Sequence, residues 1–285
     1  MAQFKMNYVS QAVKDKLNLY ITVPQSRQPF PDAMPTFSGS GISEDCPVLI
    51  LLHDDGSSPY DLMTQTAVSR YAEENGIMLI APEGHHSFFS DYAVRDRSSN
   101  TGNTGNAQIE AAFTELCYEQ SVFEALDLVH SIFATTSDRK KVVIGGIGSG
   151  GFGALKIAMK YPHLFSHVFT IGGYTDLQWL MDHCPERREQ FEAVFGGLQA
   201  QDENDLISST SVTAGEMHPS ILQCWCTDSY AAEMNLIYQA GISSIFPDYT
   251  AAVSDQRMGW GYVDCCLQQS ILWINNQKGA EKIGK

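Results

Sequence analysis

The chain has 285 residues, and its 33 acidic residues against 18 basic ones give a net charge of −15 at neutral pH. This balance argues against nucleic acid or an anionic membrane as a partner, because both require clustered lysine and arginine. The simplest role of the charge is to keep the protein soluble. No basic region followed by an apolar one marks the N-terminus, and no apolar run could span a bilayer. Seven cysteines without a framework spacing complete the pattern of a cytoplasmic protein with reduced thiols.

Strand-like and helix-like segments alternate along most of the chain. Residues 4–10 and 17–23 alternate in polarity around a polar turn, which predicts an antiparallel hairpin at the edge of a sheet. Apolar runs that predict buried strands follow at residues 47–53, 76–81, 141–145, 167–172 and 220–225. Helical candidates lie at residues 60–74, 108–133, 151–160, 231–240 and 261–275. Buried strands separated by helices predict an α/β fold with a mostly parallel, doubly wound sheet.

No repeat or linker divides the sequence, and we therefore expect a single domain over residues 1–285. Residues 25–45 are rich in proline, glycine and serine, and residues 91–106 are rich in serine, asparagine and glycine. Both compositions predict surface loops rather than a domain boundary.

The most informative motif occupies residues 146–156, GIGSGGFGALK. An apolar run leads into it and a helix-compatible run leads out, the context in which a G-x-S-x-G motif presents a nucleophilic serine on a tight turn. In the register from Gly146 to Gly150 the apex residue is Gly148. The backbone strain of such a turn costs other residues about 1–3 kcal/mol of conformational free energy, and glycine avoids it. It has no side chain that could attack a substrate.

From about Pro47 onward the chain resembles the esterase D-like, or Putative esterase, family of α/β hydrolases, which includes tributyrin-type esterases, feruloyl esterases and S-formylglutathione hydrolases. The resemblance is carried by residues 47–53 (PVLILLH), 146–156, 161–165 (YPHLF) and 224–228 (CWCTD). It implies an α/β-hydrolase fold with a catalytic serine at the position of Gly148 and an acid at that of Asp228. In this fold, residues 175–211, which are charged and helix-capable, lie where a small cap is commonly inserted.

The family's catalytic base is also missing. In this fold the triad follows the chain order nucleophile, acid, base, but all eight histidines precede Asp228. The family's late histidine precedes an aromatic residue and the last helix, and here that neighbourhood reads DQRMGW over residues 255–260. We place the lost base at Met258, close to Trp260. A thioether cannot accept a proton at neutral pH.

The third departure is in the oxyanion loop. The family has His-Gly with further glycines, whereas this chain has HDDGSS over residues 53–58. The carboxylates of Asp54 and Asp55 would raise the energy of the anionic intermediate that an oxyanion hole stabilises. Loss of one donor from such a hole already costs about 10²–10³ in rate.

Ser149 offers an alternative nucleophile, one residue past the apex. In the family this position contributes a backbone N–H to the oxyanion hole, and its side chain points away from the reacting centre. A base would have to come from His53, His85 or His86. The chain would then be a carboxylesterase for short acyl esters.

Two further patterns have weaker functional interpretations. The glycines also fit G-x-G-x-x-G, but a dinucleotide site requires the first βα unit and an acidic residue about 20 positions on. His85 and His86 follow a predicted strand and could join Asp54, Asp55 and Asp228 at a metal; two adjacent loop histidines are more often solvated groups. We expect no metal and no cofactor.

These observations predict a catalytically inactive esterase homologue, a pseudo-esterase, whose cleft is retained for binding or scaffolding. Its partner would be a small-molecule ligand or a protein. The cleft would be lined by Asp54, Asp55, Ser149, His85, His86 and Trp260. A different class of function is a subunit of an assembly whose acidic face docks a basic partner. Related esterases often self-associate, so the resemblance is also compatible with a homo-oligomer, although the sequence does not give the oligomeric state.

Overall fold

One eight-stranded mixed sheet organises the computed structural model, which describes residues 1–24, 46–92, 116–133, 135–196, 205–213 and 217–283. Its strands are β1 (Ala2–Val9), β2 (Lys16–Val23), β3 (Val48–Leu52), β4 (Met78–Pro82), β5 (Val142–Ile147), β6 (His167–Ile171), β7 (Ser220–Asp228) and β8 (Tyr249–Arg257). Their order across the sheet is β1-β2-β4-β3-β5-β6-β7-β8. The β1–β2 and β2–β4 pairs are antiparallel and the others are parallel. The predicted parallel sheet with an N-terminal hairpin at its edge is confirmed.

Helices cover both faces of this sheet. They are α1 (Pro59–Gln65), α2 (Val68–Glu74), α3 (Tyr118–Phe133), α4 (Ser149–Lys160), α5 (Leu177–His183), α6 (Arg188–Phe195), α7 (Leu206–Thr213), α8 (Ala232–Ile242) and α9 (Trp260–Ile283). Single 3-10 turns occur at Arg139–Lys141 and Pro185–Arg187. Residues of β3 alternate between two cores: Ile50 belongs to the core that includes residues of α3, α4 and α8, and Leu49 to the core that includes residues of α1, α2 and α9. Burial on both faces explains why β3 to β6 are continuous apolar runs.

The observed elements differ from the prediction most at three places. The helix expected over residues 60–74 is broken at Thr66, whose backbone is extended, because the next N–H, that of Ala67, donates to Asp264 in α9 at 2.7 Å. Strand β8 was missed, since an edge strand with many exposed positions lacks an apolar run. The predicted helix over residues 108–133 begins at Tyr118 within the described residues; residues 108–115, like the predicted loop 25–45 and most of the loop 91–106, lie outside them.

The carboxyl ends of β3 to β8 meet at one edge of the sheet, because these strands are parallel. His53 and Asp54 follow β3, Gly148 follows β5, and Met258 follows β8. Between β6 and β7 the chain forms α5 and α6, which fall within the predicted cap of residues 175–211, and α7, which extends two residues past it. Among the described residues, no helix is both long enough and apolar enough to cross a membrane.

Candidate functional site

Gly148 forms the tight turn between β5 and α4. Its backbone dihedrals are φ +53° and ψ −116°, a conformation that favours glycine. Its N–H donates to Ile171 in β6 at 3.1 Å, which fixes the turn against the neighbouring strand. A Cβ added at Gly148 would lie 2.2 Å from Oδ1 of Asp54. The backbone therefore favours glycine at this apex, and the adjacent carboxylate leaves no room for a side chain.

The carboxylate of Asp54 lies between two backbone donors. Its Oδ1 accepts the N–H of Ser149 at 2.9 Å and the N–H of Asp55 at 3.0 Å. The hydroxyl of Tyr174 lies 3.5 Å from the other carboxylate oxygen. Burial and the neighbouring charge of Asp55 raise the pKa of Asp54 to about 6, although the hydrogen bond from Ser149 opposes this shift. The group is thus mostly ionised at pH 7 despite its burial.

Ser149 is the first residue of α4 and is only 1% exposed. Its hydroxyl oxygen accepts the N–H of Asp55 at 2.7 Å, so that this N–H is shared between Ser149 and Asp54. Direct hydrogen bonds therefore bring Ser149 and the two aspartates together.

The three histidines considered as a base for Ser149 have other environments. His53 is buried, and its Nδ1 lies 2.7 Å from the carbonyl oxygen of Asp54 while its Nε2 accepts the N–H of Gly84 at 2.9 Å. Burial lowers the pKa of His53, and this arrangement fits the neutral ring with the proton on Nδ1. His85 and His86 are exposed on the loop after β4, where the His85 ring packs edge-on against Tyr118.

The positions predicted for the catalytic acid and the lost base lie at the ends of β7 and β8. Asp228 is the exposed last residue of β7 and pairs across a bulge with Arg257 of β8. Met258 follows, and its Cε lies 2.9 Å from the place that a Cβ on Gly172 would take. Because Gly172 follows the residue that accepts the N–H of Gly148, the thioether lies close to the turn. Trp260 begins α9, is half-buried and, like Met258, packs against the core on this face of the sheet.

The segment between β6 and β7 contributes a cation to the site, which the sequence did not predict. Arg187 forms an ion pair with Asp55, whose carboxylate also accepts the amide of Gln190 at 3.2 Å. The guanidinium carbon lies 5.2 Å from the ring centre of Phe88, 5.3 Å from that of Tyr174 and 5.4 Å from that of Phe191. Burial works against the charge of Arg187, but Asp55 raises its pKa.

No group of three or more metal-binding side chains is found among the residues that the structure describes. Cys224 and Cys226 share the buried face of β7 and pack with Cys266 of α9 in the core. All seven cysteines are free thiols.

The chain is similar to known esterases over nearly its whole length. An acetyl esterase of Caldicellulosiruptor saccharolyticus is 21% identical, over 96% of this chain and 98% of that protein. The substrate-bound structure of FphF, a fluorophosphonate-binding serine hydrolase of Staphylococcus aureus, is 23% identical with a TM-score of 0.77, over 96% of this chain and 98% of that one. The S-formylglutathione hydrolase FrmB of the same species is 22% identical with a TM-score of 0.71 and the same coverage.

These structural likenesses show the α/β-hydrolase fold. The profile of the family described as Putative esterase matches residues 37–238, which is more than two thirds of the chain. The chain therefore belongs to the Putative esterase family.

Proposed function

We propose that this protein is a catalytically inactive member of its family, with a cleft that serves binding rather than ester hydrolysis. The observation that carries the proposal is the position of the Asp54 carboxylate, whose Oδ1 accepts the N–H groups of both Ser149 and Asp55. In this fold the N–H after the nucleophile and an N–H of the loop after β3 form the oxyanion hole. The chain's own anion would thus fill the place of the reacting oxygen.

The energetics support this interpretation. A substrate carbonyl could reach the two N–H groups only if Asp54 left them, and a hydrogen bond to a charged group contributes about 1.5–3 kcal/mol. A negative charge that remained nearby would oppose the developing oxyanion. With Gly148 at the apex, the chain also lacks a side chain there that could form an acyl intermediate.

The competing proposal is a carboxylesterase that uses Ser149, and it draws on the family membership. It requires a base within hydrogen-bond reach of the hydroxyl. Both ring nitrogens of His53 are engaged by backbone groups, and Ser149 is buried. These contacts favour the inactive homologue.

Turnover of p-nitrophenyl acetate and butyrate by the purified protein tests the two proposals, with Ser149→Ala as the matched variant. We expect no hydrolysis above the rate of a heat-denatured sample for either protein. Hydrolysis that Ser149→Ala abolishes would establish the carboxylesterase. Hydrolysis that persists in Ser149→Ala and stays with the pure protein would overturn the inactive homologue through a different nucleophile.

We further propose that the protein works in the cytoplasm and that residues 175–211 form a cap over the cleft. Seven free thiols, six of them buried or half-buried, suit a reducing compartment. The bonds from Arg187 and Gln190 to Asp55 support a cap that is closed on the cleft. Fractionation of the native host tests the location: a protein found outside the cytosol would contradict the cytoplasmic proposal.

A further inference from the structure

We propose that the cleft recognises a cationic group, a guanidinium or an alkylammonium, in a cation box formed by Asp55, Phe88, Tyr174 and Phe191. This inference rests on the proposed function, since it names the ligand class of a cleft used for binding. Arg187 is the resident occupant of the cation box, and a ligand would take its place.

The contacts of Arg187 show what the cation box accommodates. A single guanidinium lies within 5.5 Å of three ring centres and forms an ion pair with one carboxylate. A cation over an aromatic face contributes about 0.5–1 kcal/mol when exposed and about 2 kcal/mol or more when desolvated. The side chains of Arg187 and Asp55 are 17% and 11% exposed, so these interactions are largely shielded from water.

The surroundings select for positive charge. The second carboxylate, that of Asp54, is adjacent in sequence to Asp55 and has a hydroxyl contact to Tyr174. An anionic or ester ligand would face two carboxylates, whereas a cation would be attracted to both. The net charge of −15 would also draw cations toward the protein.

The occupant shares its segment of the chain with Phe191, whereas the other three residues of the cation box come from loops elsewhere. Arg187 ends a single 3-10 turn between α5 and α6, whereas Phe88 and Asp55 belong to the loops after β4 and β3. Tyr230 packs on Tyr174 at 5.8 Å between ring centres and is 54% exposed, which places an aromatic ring between the cation box and solvent. Arg187 and all four residues of the cation box lie outside the strands, so a side-chain rotation of Arg187 would vacate the cation box without disturbing the sheet.

The experiment is a calorimetric titration with N-ethylguanidinium chloride at constant ionic strength. Arg187→Ala should bind the probe at one site and at least tenfold more tightly than the wild-type protein, in which the arginine competes. The double variant Arg187→Ala/Asp55→Asn should bind at least tenfold more weakly than Arg187→Ala. N-ethylurea, which is similar in shape but uncharged, should not bind.

Arg70→Ala is the matched control, because Arg70 also lies over an aromatic ring, that of Tyr71 at 4.9 Å, but outside the cleft. It should behave as the wild-type protein. Absence of binding to Arg187→Ala, or binding that Asp55→Asn leaves unchanged, would overturn the inference. Ester turnover is measured on the same samples, so that failure of the cation box and failure of the inactive-homologue proposal are separate results.

Should Arg187→Ala not fold, saturation-transfer NMR of the same probe on the wild-type protein replaces the titration. A signal that Asp55→Asn abolishes would support the cation box. An equal signal in both proteins, or none in either, would overturn it.

Discussion

Gly148 and Asp54 depend on each other for space. A Cβ at residue 148 would lie 2.2 Å from the Asp54 carboxylate, and the backbone there has a positive φ. A serine at the apex and an aspartate at residue 54 are therefore incompatible without movement. Gly148 and Asp54 are better understood as one coupled feature of the site.

Gly148→Ser should destabilise the protein by more than the roughly 1–3 kcal/mol that its backbone conformation costs. In the presence of Asp54→Gly the same substitution should cost at least about 1 kcal/mol less, because the overlapping carboxylate is gone. Urea unfolding of the two single variants and the double variant measures this coupling. Additive changes in the free energy of unfolding would show that the two positions do not compete.

Asp54 should also produce a defined pH dependence. Its pKa is about 6 in the folded protein and ordinarily 3.8, so that its contribution to stability is fully present below pH 3.8 and is lost as pH rises through 6. Asp54→Asn should remove this loss of stability, so that by pH 7 its free energy of unfolding exceeds that of the wild-type protein by up to about 3 kcal/mol. Urea unfolding of both proteins from pH 4 to 9 tests the prediction.

The difference in free energy of unfolding between Asp54→Asn and the wild-type protein should grow between pH 4 and 6 and be constant from pH 7 to 9. A difference that is constant over the whole range, or that favours the wild-type protein at high pH, would contradict the assigned environment of Asp54.

Some site residues were predictable from the sequence and others were not. Gly148 stands where the G-x-S-x-G motif has serine, and Asp54 stands where the oxyanion loop has glycine. Both positions could therefore be identified from a single sequence. Arg187 reaches Asp55 across 132 positions and leaves no spacing signal. The hydrogen bonds of the Asp54 carboxylate were also beyond prediction, because they depend on the path of the loop after β3.

At the scale of elements, helix α4 carries the turn at Gly148 and is anchored to α3 by a buried ion pair. Lys156 of α4 lies 3.0 Å from the carboxylate of Glu119, which is 2% exposed and also accepts Lys160 at 2.6 Å. Burial lowers the pKa of Lys156, and Glu119 opposes this effect. The charge of the buried Lys156 ammonium is therefore stabilised by the carboxylate of Glu119.

Glu119→Ala should destabilise the protein by about 3–5 kcal/mol, because it leaves the Lys156 ammonium buried without its carboxylate. Lys160→Ala is the control, since Lys160 is half exposed and a surface ion pair contributes about 0–1 kcal/mol. Thermal or urea unfolding gives both values. Equal small effects would mean that water or another group replaces Glu119.

The strands and helices that were predicted correctly are those with strong periodicity. Strands β3 to β6 are covered on both faces and show it as apolar runs. Strand β8 was missed because one side of an edge strand faces solvent, and the break at Thr66 was missed because its cause, Asp264, lies about 200 positions away.

For the whole molecule, the dominant electrostatic feature is the net charge of −15. Self-repulsion in the folded state should be screened by salt, whose Debye length falls to about 8 Å at 0.15 M. Raising sodium chloride from 10 to 200 mM shortens the Debye length from about 30 Å to less than about 8 Å. A stabilisation of about 1 kcal/mol would raise the melting temperature by about 2–4 °C, which is the shift we expect. Potassium chloride should act equally, and a fall in melting temperature would contradict this account.

Incubation with a fluorophosphonate followed by intact-mass analysis tests the central claim most directly, because such probes bond to any serine that an active site has made nucleophilic. We predict an unchanged mass, as expected of a protein with glycine at the apex and a carboxylate on the two N–H groups beside it. A stoichiometric adduct would contradict the account, and peptide mapping would then show whether Ser149 carries it.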